Sequence, residues 1–185
     1  MDTTKDEFHS YNQAAAQMSG IAAMVAALEC DYERLEELRE KRQNLATYTE
    51  GTKGEIDATL EAWDEANGEE LRELEEAALA GESQACYALK SQDEARERIT
   101  EDPLEITLTG SWAPGDKPEA EGFIILLCTG GQAVRIKGEL DQHGEPYRAW
   151  LEHQDWGTPW TEYHGANADQ ETLLTYCRQF YFGEG

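Results

Sequence analysis

The spacing of the apolar residues changes near residue 103, and one kind of layer cannot satisfy both halves of the chain. Upstream, apolar residues recur every three or four positions, as one face of a helix requires. Downstream they alternate or form short continuous runs, which is the pattern of strands. Helices followed by a run of strands define an α+β chain rather than alternating βα units.

Residues 12–47 read as one long helix, with Ile21, Leu28 and Leu35 at heptad position a and Met24, Leu38 and Leu45 at position d. Asp31 and Arg42 interrupt that seam, which favours a helical hairpin or small bundle over a uniform coiled coil, and Gly20 marks a break near its start. Gly51 and Gly54 predict a turn. A second helix is expected over residues 55–79, its apolar stripe formed by Ile56, Leu60, Trp63, Leu71, Leu74 and Ala78. Gly68 is placed to kink it and Gly81 to cap its end. So short a connection makes the two helices antiparallel. A third helical stretch covers residues 83–100, and Ser91-Gln92-Asp93-Glu94 has the capping-box pattern of a fresh helix start. The heptad seam also permits a homodimer through the helical region.

Residues 104–109 alternate apolar and polar, which predicts a half-buried strand. Residues 111–121 contain two prolines and read as a loop, and 123–128 form an uninterrupted apolar run suited to a central strand. Further strands are expected over 133–140, 147–152 and 160–163, and a closing helix over 169–182. The predicted fold is therefore α+β: an N-terminal antiparallel helical hairpin or small bundle, then a mostly antiparallel β-sheet with a C-terminal helix. The boundary falls between an acidic helical region, 1–102, and the sheet with its helix, 103–185. A chain of 185 residues is long enough to bury a core.

Charge narrows the partners. There are 39 acidic and 15 basic residues, a net of −24. Such a chain repels nucleic acid and anionic membranes at long range and attracts basic surfaces, including those that hold DNA or RNA. The same charge also serves solubility or adaptation to salt. The densest stretch, residues 55–82, holds eleven carboxylates against one base, Arg72. Within it Asp57, Glu61, Glu65, Glu69 and Glu73 follow at intervals of four, with Asp64 and Glu76 beside them. Unrelieved like charges at this spacing cost a helix a few tenths of a kcal/mol, about 0.2–0.5 per pair. A regular row of negative charge can stand in for a phosphate backbone, so these seven residues are the candidate contacts for a basic nucleic-acid-binding protein or complex. The alternative is a solvated helix face.

The remaining signals are weaker. Three tryptophans and a tyrosine fall within residues 150–163, and Trp156, Trp160 and Tyr163 are candidates for an aromatic interface, with core packing as the alternative. Cys128-Thr129-Gly130-Gly131 has the form of a strand-end nucleophile beside backbone amides, with His153 or His164 as a base. The competing reading is a buried cysteine before a hairpin turn. The four histidines and four cysteines have no metal-ligand spacing, and no phosphate loop, dinucleotide fingerprint or nucleophile elbow occurs, so no metal and no cofactor are expected. The dispersed cysteines read as reduced core residues of a cytoplasmic protein. No apolar run reaches the roughly 20 residues of a membrane span, and no signal peptide opens the chain.

Asp102-Pro103-Leu104, Leu126-Leu127-Cys128-Thr129-Gly130-Gly131, the stretch from Asp155-Trp156-Gly157 to Tyr163, and Phe180-Tyr181-Phe182 together resemble a group of uncharacterised acidic proteins of phages, plasmids and integrative elements of proteobacteria. The resemblance covers residues 99–182. It implies a mobile-element context, in which small acidic proteins often act as counter-defence factors, including nucleic-acid mimics that block restriction or CRISPR complexes. It assigns no functional residue. The expectation is an interaction protein without enzymatic activity. A phage structural or assembly component and an enzyme using Cys128 are the alternatives.

Overall fold

The computed structural model describes residues 3–110 and 120–183, with backbone alone for 3–8 and 48. The architecture is α+β. Four helices, α1 (Thr3–Glu29), α2 (Tyr32–Tyr48), α3 (Lys53–Ala78) and α4 (Gln92–Glu101), precede five strands, β1 (Glu105–Thr109), β2 (Gly122–Cys128), β3 (Ala133–Leu140), β4 (Pro146–Gln154) and β5 (Thr161–Glu162). The helix α5 (Gln170–Cys177) follows. The strands form one antiparallel sheet in the order β1-β2-β3-β4-β5.

Secondary structure changes character beside Pro103, as the spacing predicts, but compactness divides the chain elsewhere. Residues 1–25 and 96–185 form one unit, and residues 26–95 form another. The part of α1 up to Val25 thus belongs with the sheet, and the heptad seam is shared out between the two units. Ile21 and Met24 are buried in the first unit, while Leu35 and Leu38 are buried in the second.

In the first unit one sheet face carries Phe123, Ile125, Leu127, Val134, Ile136, Ala149 and Leu151, all buried. Alternation along β2, β3 and β4 puts these side chains together and turns Ile124, Arg135, Lys137 and Trp150 to the other face. Leu173, Leu174, Tyr176 and Cys177 of α5 are buried as well, and the Phe182 ring stacks on Phe123 at 4.5 Å. Ser10, Ala14, Met18, Ile21 and Val25 make the buried face of α1. Ser10 and the His153 ring nitrogen Nδ1 share a hydrogen bond of 2.9 Å. Tyr11 packs on Tyr163 at 4.9 Å. The Tyr176 hydroxyl, wholly buried, donates to Asp102 at 2.6 Å, and burial with that carboxylate pushes its pKa well above the usual tyrosine range. Among the described residues no buried side-chain nitrogen or oxygen lacks a hydrogen-bond partner.

In the second unit Leu35 and Leu38 of α2 pack with Cys30, Leu71 and Ala78, flanked by Tyr32, Trp63, Leu74 and Ala77. A smaller cluster gathers Ala27, Ala80 and Ala95 with Leu28 and Leu89. Burial pushes the Tyr32 pKa up to about 12 while its hydroxyl donates to the Ala27 carbonyl at 2.9 Å.

Several expectations change. The helix predicted over 12–47 is two helices, because Asp31 is an N-cap: its carboxylate accepts from the Arg34 amide at 2.9 Å. Neither Gly20 nor Gly68 interrupts its helix. The hairpin turn ends two residues earlier than expected, at a capping box between Thr52 and Glu55. Of the stretch 83–100 only the part from Gln92 is α-helix. It starts where the Ser91 pattern places it, with the Glu94 amide donating to Ser91 Oγ at 3.2 Å. Cys86, expected in a core, is exposed in a short 3-10 turn, Ala85–Tyr87. The strand β1 is not half-buried: Ile106 and Leu108 stay 41% and 48% exposed. Residues 111–119 of the expected loop lie outside the described residues.

Glycine at 138 is a steric requirement. A methyl group there would lie 2.2 Å from Phe123 Cζ and 2.6 Å from the Arg148 carbonyl oxygen. Gly138→Ala is expected to destabilise the protein by about 1–3 kcal/mol, read as a lower urea midpoint, whereas Gly20→Ala, with open space around it, leaves the midpoint unchanged or raises it.

Candidate acidic interface

The second unit carries twenty acidic and seven basic residues, a net of −13 in 70 residues. Helical geometry sorts the carboxylates of α3. At about 100° per residue, Leu60, Trp63, Leu71, Leu74 and Ala78 share one side of the helix. Asp64 and Glu75 flank one margin of that apolar stripe, and Glu70 flanks the other.

The flanking acids are the paired ones. Arg42 makes a two-pronged bond to Asp64 at 2.7 and 2.9 Å. Arg34 grips Glu70 in the same way at 2.8 and 2.9 Å and reaches Glu37 at 2.7 Å. Arg39 bonds Glu75 at 3.1 Å. The Arg42 guanidinium holds Asp64 below the usual carboxylate range, and Arg34 does the same for Glu70 and Glu37. A groove of about 760 Å³ runs beside these pairs, lined by Arg39, Arg42, Arg72, Asp64, Gly68 and Leu71 among others.

The remaining acids of the row are Asp57, Glu61, Glu65, Glu69, Glu73 and Glu76, all exposed; Asp57 shares the margin of Glu75, and the other five turn away from the stripe. None of the six takes part in an ion pair or a side-chain hydrogen bond. Arg72 lies among them on the same arc. On a straight α-helix each four-residue step advances about 6 Å and about 40°, so the row is a right-handed spiral with a repeat of about 54 Å. Of the seven predicted contacts the structure therefore leaves six open to a partner and commits Asp64 to Arg42 of the same chain.

The aromatic candidates do not come together. Trp156 is 82% exposed on a turn closed by Asp155, Gly157 and Thr158. Trp160 is half-buried with the Arg135 guanidinium 4.0 Å above its ring, and Arg135 in turn pairs with Glu152. Tyr163 is buried and donates to Asn167 at 2.6 Å, so it belongs to the core. Cys128 is half-buried, and neither His153 nor His164 bonds to it: His153 is buried against Ser10, and His164 is exposed beside Glu162. A nucleophilic thiol is activated by a base that takes its proton, and neither histidine is hydrogen-bonded to this one. The described residues hold no cluster of three potential metal ligands, and no described helix is long and apolar enough to cross a membrane.

These features define an α+β chain whose helical unit displays a spiral of exposed carboxylates that form no ion pair. No family model, curated protein or solved structure matches it.

The sorted pairs predict a pH response. Glu37, Asp64 and Glu70, with the turn and cap acids Glu55, Asp141 and Asp169, have folded-state pKa values below their reference values of 3.8 or 4.5. A depressed carboxylate stabilises fully above its unfolded value, and that contribution is lost as pH falls through the folded value. The urea midpoint should therefore fall once pH drops below about 4.5. Arg34→Ala should shrink that fall by releasing Glu37 and Glu70.

Proposed function

We propose that this chain acts by binding, and that the carboxylate spiral of α3 engages a basic nucleic-acid-binding surface in place of nucleic acid. The observation that carries the reading is the division of the acids: Asp64, Glu70 and Glu75 beside the hydrophobic stripe are paired with α2 arginines, whereas Asp57, Glu61, Glu65, Glu69, Glu73 and Glu76 are exposed and form no ion pair. A face built only for solubility has no need of this order, since like charges four residues apart weaken the helix they sit on.

The spiral has the hand of a nucleic-acid strand and a looser winding, about 54 Å per turn against about 34 Å for a duplex. Six charges between Asp57 and Glu76 give one roughly every 5 Å of axis, compared with about 3.4 Å along one strand of DNA. The exposed acids Glu33, Glu36 and Glu40 of the neighbouring α2 raise the density on the hairpin. The partner class is a DNA- or RNA-binding protein or complex, held through lysines and arginines that otherwise contact phosphate. The resemblance of residues 99–182 directs the search to defence complexes of a bacterial host, such as restriction or CRISPR assemblies, in the cytoplasm.

Capture from host lysate at low and at high salt is the test. Recovery of a basic nucleic-acid-binding complex that high salt or added DNA displaces is the expected result. Replacing Asp57, Glu61, Glu65, Glu69 and Glu73 by lysine should abolish that capture. Because their side chains are exposed and unpaired, the circular dichroism spectrum should not change. Capture that survives the five replacements, or partners indifferent to salt, would sink nucleic-acid mimicry.

A further inference from the structure

The two edges of the sheet are unlike. At one edge β5 is two residues long, follows Pro159, and pairs only with Glu152 and His153. At the other, β1 runs five residues in unbroken register with β2 and contains neither proline nor lysine. Proteins ordinarily blunt such an edge with charge, proline, a bulge or a covering element, because its free amides and carbonyls accept a further strand. The apolar residues of β1 lie on the face that β2 devotes to the core: Ile106 is opposite Ile125, and Leu108 is opposite Phe123. Ile125 and Phe123 are wholly buried, whereas Leu104, Ile106 and Leu108 are 61%, 41% and 48% exposed. The hydrophobic layer of the first unit thus continues one strand past the point where the described residues cover it.

We propose that the β1 edge takes up an extended segment of a partner protein as a sixth strand. Main-chain hydrogen bonds would supply its affinity, and alternate side chains its specificity. On one face its apolar residues would extend the row of Leu104, Ile106 and Leu108. On the other it would meet Glu105, which accepts a hydrogen bond from Thr107 at 3.1 Å and forms no ion pair. Residues 97–105 expose Glu97, Glu101 and Glu105 against Arg98, with Asp102 taken up by the Tyr176 hydroxyl. The whole chain has a net charge of −24, so the complementary segment alternates apolar residues with lysine or arginine. A second copy of the chain is the poorer occupant, since it would bring two strongly negative surfaces together. Its three apolar side chains on each side fall well short of the roughly 800 Å² per partner that stable interfaces bury. The β1 edge belongs to the first unit and the hairpin to the second, and the inference does not depend on use of the carboxylate spiral.

The probe is an end-blocked, fluorescently labelled nine-residue peptide of alternating valine and lysine, titrated into the full chain. Its comparisons are a peptide of the same composition in two blocks and an alternating valine–glutamate peptide. Saturable binding of the alternating basic peptide at least tenfold tighter than either comparison is expected, with amide exchange slowed at residues 105–109. N-methylating the peptide along one edge should abolish binding, and along the other should leave it. The double variant Ile106→Thr, Leu108→Thr keeps strand-compatible side chains at exposed positions. It should lose at least tenfold in affinity while its circular dichroism and urea midpoint stay unchanged. Equal binding of the block peptide, equal tolerance of both N-methylations, or unaltered exchange in β1 would overturn the proposal. So would a dimer in sedimentation velocity that itself slows exchange in β1, because the edge would then belong to a second copy.

Discussion

Counter-charge is scarce in this protein, and where it is placed decides what the surface can do. Only fifteen basic residues face thirty-nine acidic ones. In the helical unit Arg34, Arg39 and Arg42 all reach from α2 to acids at the margins of the α3 apolar stripe. Pairs this exposed add little stability one by one, but they remove repulsion at the line along which two acidic helices must approach. The outward acids have no such obligation, so their field is left to act on whatever comes near.

The sheet unit manages its polar groups differently. Asp102, Ser10 and His153 are satisfied inside the fold by specific partners, and Glu152 accepts from both Arg135 and the Trp150 indole at 2.7 and 3.0 Å. Burying these groups without partners would cost more than any exposed pair contributes. The unit is therefore a scaffold with fixed internal bonds. Among the described residues its exposed large apolar side chains lie at β1 and at aromatics such as Trp156 and Tyr181.

Much of the candidate interface was legible from spacing. Acids four residues apart on a helix must lie along its surface, and a stripe of Leu60, Trp63, Leu71 and Leu74 tells which side is turned away from solvent. Which acid meets which arginine was not legible, because Arg34–Glu70 and Arg42–Asp64 join residues 36 and 22 apart, through the register of α2 against α3. The same limit separates Trp156 from Tyr163. Both lie in one aromatic run, yet a turn closed by Asp155 and Thr158 exposes the first, while pairing at β5 and packing on Tyr11 bury the second.

What the amino-acid order determines alone is local: the helical and strand periods, the cap at Ser91, the turn at Gly51, the sign and density of charge. Each depends on groups within a few residues of one another, where backbone sterics and i to i+4 geometry leave little choice. Tertiary structure decided the rest. It split the long predicted helix at Asp31, assigned the halves of the heptad seam to two units, took Asp64 out of the open row and, among the described residues, left the apolar side chains of β1 exposed. Those outcomes depend on which distant surfaces meet, and packing between surfaces far apart in the chain is not written in any local pattern.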